Sequence, residues 1–495
     1  MPIEFHRDGP WELPEAWVWA RLGDVCKHPG RIDPARQLTG TFRYIDLSAI
    51  DDGKVAQSQN LLVAKAPSRA RQPVQSGDTL LSCVRVYLRN NAIVPDELDG
   101  SVGSTAFCIL RPSEAIDPRY LFWFVHSRKF TEILIPLQRG NSPPAVLDED
   151  VRDQLVPVPP LPEQRRIVAR IDELFTEIAD GEASLARARD DLDTWRRALL
   201  KAAVTGELTR EWREQNSPIK TGGEIVERLR RANPNIKSTQ RGWSVNQGGW
   251  VPQIPQTWAW CAVEEAGEVQ LGRQRAPQHH AGEHMRPYLR VANILEDALD
   301  LSDVKRMNFT PEEFGTFVLR SGDILLNEGQ TPELLGRPAV YSGEIEECCF
   351  QKTLIRFRSN TEVLPQFALI VFRHYMRSGR FKRESRITTN MAHLTQVRFV
   401  VMEFPVPPTE EQAEIVRQFR TLEGDAVEQF DHVEWFNIAG LRYSILRAAF
   451  EGHLVEQDLR DEPAEQLLVR LSERADTHAQ PRRASRKSRA TLAAE

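Results

Sequence analysis

The sequence predicts an α+β protein: two tandem domains of mixed α and β structure, separated by two long antiparallel coiled-coil helices, with a pseudo-twofold internal repeat. Three observations predict it. Five phrases recur in the same order at offsets of 241, 244, 245, 248 and 246 residues. A heptad seam follows the first copy of a Pro-rich phrase. Short strand-like and helix-like stretches alternate irregularly within each copy.

The repeat is carried by Leu13–Trp19 ("LPEAWVW") and Ile254–Trp260 ("IPQTWAW"), then "YIDLSAI" and "YLRVANI" from Tyr44 and Tyr288. "SGDTLLS" from Ser76 returns as "SGDILLN" from Ser321, and "VPVPPLPEQRRIV" from Val156 returns as "FPVPPTEEQAEIV" from Phe404. "ALLKAAVTGEL" from Ala198 returns as "SILRAAFEGHL" from Ser444. A repeat this long is a duplicated domain rather than a solenoid unit. Each half reads as a globular part followed by a helix.

Composition bounds the class. With 495 residues, the chain has room for about two to four domains. Hydrophobic content of 41% and charged content of 27% are those of a globular protein. The longest apolar runs, "YLFWFV" and "FALIVF", are too short to span a bilayer, and "MPIEFHRDGP" has no apolar signal core. The six cysteines form no CxxC pair, so they read as buried thiols in a reducing cytoplasm. A net charge of −6 gives no global sign of nucleic acid, so evidence for it must be local.

Within each copy, Ser-Gly-Asp predicts a turn leading into an apolar strand. "STAFCILR" (Ser104–Arg111) and "TLIRFR" (Thr353–Arg358) carry strand composition, while Asp117–Leu134 and Leu364–Lys382 carry helical spacing. Pro162 and Glu163 suit the first turn of a long helix. Its seam runs through Ile167, Ile171, Leu174, Ile178, Leu185, Leu192, Trp195 and Leu199, alternating by four and three as a coiled coil does. A second seam begins at Ile415, Phe419, Leu422 and Ala426 and slips phase near Gly440. A helix of about 40 residues is about 60 Å long.

Local basic runs supply the nucleic-acid signal. Phe372–Arg398 holds seven Arg or Lys against one acid, with Phe372, Tyr375 and Phe381 among them. Arg119–Arg139 and Leu61–Asn91 are also basic, the latter through Lys65, Arg69, Arg71, Arg85 and Arg89. Cations at this density engage phosphates, and Thr, Asn and His suit base edges. Such runs also occur as solvated helix faces. The tail "PRRASRKSRATLAAE" is basic and predicted disordered.

Catalytic signatures are missing. No GxxxxGK[ST] phosphate loop is present. "NSPP" (Asn141–Pro144) departs from the methyltransferase motif that it approaches, and no glycine-rich cofactor loop accompanies it. The triplets Asp52–Lys54 and Asp303–Lys305 sit in turn-like sequence, and His279, His280 and His284 lack the partners that would complete a metal site. No catalytic residue and no metal ligand is assigned.

The order of globular part, "PVPPLPEQRRIV" helix, second globular part, "PVPPTEEQAEIV" helix and "LRAAFEGHLVEQD" resembles the specificity subunit of type I restriction–modification enzymes. "NNAIVPDELDG", "LNEGQTPELLGRPAVY", "FQKTLIRFR" and "TTNMAHL" add to the likeness, which covers residues 11–470. "GNSPPAVL" (Gly140–Leu147) departs from the more polar phrase expected there.

The resemblance implies a first target-recognition domain over 1–160, a spacer helix over 161–215 and a linker with a short helix over 216–249. A second recognition domain then spans 250–408, a second spacer helix 409–456, a short C-terminal helix 457–475 and a basic tail 476–495. The chain is then not an enzyme by itself. It reads a split asymmetric site on double-stranded DNA and docks two methyltransferase subunits and restriction/translocase subunits in the cytoplasm. It holds no cofactor; S-adenosylmethionine, ATP and Mg belong to the partners. The candidate DNA-binding residues are Arg85, Arg89, Ser104, Thr105 and Arg139 in the first domain. In the second they are Gln330, Arg337, Lys352, Thr353, Arg386, Thr389, Asn390 and His393. The alternatives are a specificity module of another split-site methyltransferase or nuclease system, or a coiled-coil scaffold.

Overall fold

The computed structural model describes residues 3–479 apart from 141, 241–242, 244, 246–250, 388–390 and 432–437. One series of elements occurs twice. The first comprises β1 (Val18–Arg21), β2 (Thr79–Ser82), β3 (Phe107–Pro112), α1 (Pro118–His126), β4 (Leu155–Val158), the long α2 (Leu161–Thr205) and α3 (Gly222–Ala232). The second comprises β5 (Ala259–Ala262), β6 (Asp323–Asn327), β7 (Leu354–Ser359), α4 (Pro365–Arg377), β8 (Glu403–Val406), α5 (Thr409–Asp431), α6 (Ile438–Phe450) and α7 (Ala464–Ala479).

The strand pairing repeats as well. β1 pairs antiparallel with β4, setting Ala20 opposite Val156, as β5 pairs with β8, setting Cys261 opposite Phe404. β3 lies between Cys26–Lys27 and β2, and β7 lies between Gly267–Leu271 and β6. The Ser-Gly-Asp turn before each central strand explains its start. Gly77 and Gly322 take φ of +79° and +92°, which glycine adopts without steric cost. The buried Asp78 and Asp323 each accept two bonds from one guanidinium, Arg111 at 2.9 and 2.7 Å and Arg358 at 2.6 and 2.7 Å. Charge-assisted forks of this kind hold a buried carboxylate in place.

The chain divides into two compact units, Met1–Ser184 with Phe436–Glu495, and Leu185–Trp435. The expectation of a globular part followed by its own helix is therefore incomplete, because each core also takes helix segments from the other copy. In the first unit, Ile167 and Ile171 of α2 share a core with Ile445, Ala449 and Phe450 of α6 and Leu468 of α7. Arg166 pairs with Asp461, and Glu182 with Arg442, so the two segments run antiparallel there. In the second unit, Leu199, Leu200 and Val204 of α2 share a core with Ile225 and Leu229 of α3 and Ile415 and Phe419 of α5. The heptad pattern alone left out α3 and α7, whose apolar faces complete these cores.

Two glycines with positive φ mark the same joint in both units. Gly206, at φ +78°, faces Pro255, and Gly452, at φ +80°, faces Pro14; a Cβ would meet a proline Cγ at 2.5 and 2.3 Å respectively. The helix ends thus dock on the Pro-Trp phrases, which is one reason the phrase recurs. The seam positions are buried where these docks lie. Ile167, Ile171 and Leu199 are buried, Leu174, Ile178, Leu185 and Leu192 are half-buried, and Trp195 is 36% exposed. The expected continuous helix over 409–456 is described as α5 and α6, with 432–437 outside the described residues. The tail from 480 onward also lies outside them. All six cysteines are free and buried. Among the described residues no helix is long and apolar enough to cross a membrane.

Candidate nucleic-acid interface

The same three loops meet at the end of β2 in one unit and of β6 in the other. After β2, Cys83 N–H donates to Ala106 O at 2.9 Å, and Thr105 N–H donates to Arg69 O at 2.9 Å. Arg85 N–H donates to Pro144 O at 2.9 Å, and Ala145 bridges antiparallel to both Val84 and Arg139. Residues 84, 145 and 139 therefore lie side by side. After β6, Glu328 N–H donates to Thr353 O at 2.9 Å, and Leu394 N–H donates to Glu328 O at 2.8 Å. The short strands Gly329–Gln330, Ala392–His393 and Arg386–Ile387 form a sheet in that order, with His393 opposite both Gly329 and Arg386. Ala145, bridged to Val84 and Arg139, thus stands where His393 stands between Gly329 and Arg386.

The expected DNA-binding residues divide by their placement. Arg85 and Arg89 are exposed and both take φ of +52°, left-handed backbone that a non-glycine residue adopts at a cost of about 1–3 kcal/mol. Thr105 and Lys352 are exposed beside them at their respective loops. Arg139 reaches the surface but its Nη2 donates to Asp150 at 2.9 Å. Gln330 is half-buried, and its Oε1 accepts from Thr331 N–H at 3.0 Å. His393 is 43% exposed and its Nδ1 lies 3.5 Å from Glu328. The side chain of Arg386, and Thr389 and Asn390 altogether, lie outside the described residues.

Three candidates are turned inward. Ser104 is only 2% exposed and its hydroxyl accepts from Ala106 N–H at 3.2 Å, so it closes the turn instead of facing outward. The Thr353 hydroxyl and the Arg337 Nε are buried without a partner among the described residues.

Four cations of the basic segment 372–398, Arg373, Arg377, Arg380 and Arg398, are bonded within the fold, which corrects its reading as an open cationic surface. Phe372, Tyr375 and Phe381 are core side chains. Arg373 and Arg377 pair with Glu296, Arg380 pairs with Glu403 at 2.6 Å, and Arg398 donates to Glu384 O at 2.6 Å. Glu296 lies 77 and 81 residues away in sequence and Glu403 lies outside the segment, so a charge count within it could not find them. Lys382 and Arg383 stay exposed. In the first unit the cations Lys65, Arg69, Arg85 and Arg89 are exposed, and Arg69 accepts from Thr105 N–H through its carbonyl.

Tyr87 and Leu88, both 51% exposed between Arg85 and Arg89, were missed by the sequence reading. Their signal was present in the apolar pair flanked by arginines. Among the described residues no cluster of three His, Cys, Asp or Glu can hold a metal ion. His280 accepts from Arg275 at 3.0 Å, and Asp303 pairs with Arg290 and Lys305.

No protein-family model matches the chain. It is 26% identical over 474 residues to the StySPI type I restriction enzyme specificity subunit of Salmonella potsdam, covering 91% of this chain and 92% of that protein. It is 24% identical over 470 residues to the EcoKI specificity subunit of Escherichia coli K12, with the same coverage. Among solved structures, the HsdS subunit from Thermoanaerobacter tengcongensis aligns with a TM-score of 0.60 and 26% identity, over 90% of this chain and all of that one. A chain from a structure on complex assembly and conformational transition of the type I R-M system aligns at 0.65 and 26%, with the same coverage. With relatives matching nearly end to end and solved structures aligning over nine-tenths of its length, the chain is similar throughout to type I restriction enzyme specificity subunits.

Proposed function

We propose that this chain selects the DNA sequence on which a type I restriction–modification complex acts, each unit contacting one half of a split site. The observation that carries this is the pair of matching three-loop surfaces, built on one backbone plan with different side chains. The first presents Arg85, Arg89 and Thr105, and the second presents Gln330, Lys352 and His393. Arginine forks onto guanine and glutamine onto adenine in the major groove, so two such surfaces suit two different half-sites. Exposed Lys65 and Arg69 beside the first surface supply phosphate contacts that fix register.

No residue of this chain is assigned chemistry. Two methyltransferase subunits dock along the long helices and bring S-adenosylmethionine to an adenine that they flip from the duplex. Restriction/translocase subunits bring ATP and Mg. The continuous α2 acts as a ruler, since half-sites on one face of the duplex lie about 34–36 Å apart per turn. A mobility-shift titration of the chain co-purified with its methyltransferase tests the reading. Binding to one split sequence should resist competitor DNA and weaken with salt along a log–log line. Equal competition by every duplex would overturn it.

A further inference from the structure

At one set of equivalent positions the two units meet the long helices through different chemistry, while elsewhere the first unit also forks Arg119 onto Asp172 of α2 at 2.7 and 2.5 Å. In the second unit, Arg373 of α4 is 6% exposed and meets carboxylates from two other elements. Its Nη1 and Nη2 donate to Glu423 of α5 at 2.8 and 2.5 Å, and its Nε donates to Glu296 at 3.1 Å. One helical turn on, Arg377 forks onto Glu296 at 2.8 and 2.7 Å and also donates to Asp193 of α2. Glu296 and Asp297 belong to the tight turn joining Ile294–Leu295 to Ala298–Leu299, where Asp297 takes φ of +57°. One turn and two arginines therefore tie the globular part to both long helices.

The first unit also has a two-residue turn at this place, between Ile50–Asp51 and Lys54–Val55, but aromatic groups where the clamp would be. His126 stands at the place of Arg373 and stacks on Phe122 at 5.1 Å. Phe175 of α2 stands at the place of Glu423 and meets Trp123 edge-on at 5.0 Å. Ring packing tolerates sliding and has no fixed partner atoms, whereas a forked guanidinium fixes both distance and plane.

We propose that the Asp193–Arg377–Glu296 clamp is a positioning device that sets the attitude of the second recognition surface on the long helices, and so the number of base pairs between the half-sites. This rests on the specificity reading above. Glu423 and Arg373 anchor the helix α5 side of the clamp. Asp193 provides its link to α2, and Asp193 also pairs with Arg197 on its own helix at 2.5 Å.

The test compares Asp193→Asn with Arg197→Gln, which removes the intrahelical pair and leaves the clamp intact. In cells carrying the methyltransferase partner, Asp193→Asn is expected to methylate the same two half-sites at the native spacer and at spacers one base pair different. Arg197→Gln should keep the single native spacer. A second readout needs no DNA. Spin labels at Ala198 of α2 and Glu312 of the globular part, both exposed while the native cysteines are buried, report one narrow distance in the wild type. Asp193→Asn should broaden that distance distribution and Arg197→Gln should not. Glu296→Gln loosens the same clamp from the domain side and gives the same result where Asp193→Asn cannot be purified. A single spacer and an unbroadened distance in these variants would overturn the proposal. A wild type that methylates no split motif would overturn the specificity reading instead, while the spin labels still judge the clamp.

Discussion

Trp17 donates its indole N–H to Glu163 at 3.0 Å, joining the first Pro-Trp phrase to the first turn of α2. Trp258 makes the same bond to Glu411 at 2.9 Å at the start of α5. The neighbours of the two carboxylates differ. Glu163 also accepts from Gln457 at 2.5 Å, whereas Glu411 accepts from Thr209 at 2.8 Å and from the guanidinium of Arg213. These joints are where each helix end meets its globular part.

Glu411→Ala leaves a partly buried guanidinium, an indole and a hydroxyl without their acceptor and is expected to cost about 3–5 kcal/mol. Glu163→Ala strands only neutral donors and is expected to cost about 1–3 kcal/mol. Urea unfolding followed by tryptophan fluorescence gives both values, and equal losses would contradict the assignment.

Burial lowers His126 and His374 to about 4 each, so both stay neutral in the folded protein. Unfolded histidine binds its proton near pH 6.5, so the unfolded state gains protons first as pH falls. Stability is then full above pH 6.5 and is lost progressively down to about 4, by at most about 3 kcal/mol per histidine. His126→Leu is expected to halve the acid loss of the urea midpoint between these limits. An unchanged acid limb would show that His126 is charged in the fold.

Arg85→Ala should relax the first half-site by about 1–3 kcal/mol and leave the second unchanged, and Gln330→Ala should do the reverse. Competition binding against duplexes altered in one half at a time separates the two. A uniform loss across all sequences would make either residue a backbone contact or a folding residue.

Deleting one heptad, Ala183–Arg189, shortens α2 by about 10 Å and should change the gap between half-sites by up to about three base pairs. Sequencing the protected motif of the deletion variant measures it. An unchanged gap would remove the ruler from the account.

The duplication was legible because paired phrases such as "SGDTLLS" and "SGDILLN" build the same turn and central strand, with Asp78 and Asp323 bound by matching arginines. The long helix was legible because Ile167, Ile171 and Leu199 keep their heptad spacing where they enter the cores. The exchange of helix ends between copies was not, since Gly206 facing Pro255 and Gly452 facing Pro14 are long-range contacts with no local pattern. The candidate interface was legible in part. Arg85 and Arg89 lie exposed as their loop suggested, while Arg373 and Arg377 bond to Glu296, Glu423 and Asp193, which no local window of sequence contains. The hairpin at Arg139–Ala145 was hidden because backbone bridges, and not residue types, make it equivalent to Arg386–His393.

The most direct test is single-molecule methylome sequencing of the host with the gene intact and with it deleted. One split, asymmetric adenine-methylated motif should be present with the gene and vanish without it, and its two halves are then the sequences these two surfaces select. A methylome that keeps every motif after deletion, with the methyltransferase partner expressed, would contradict the account.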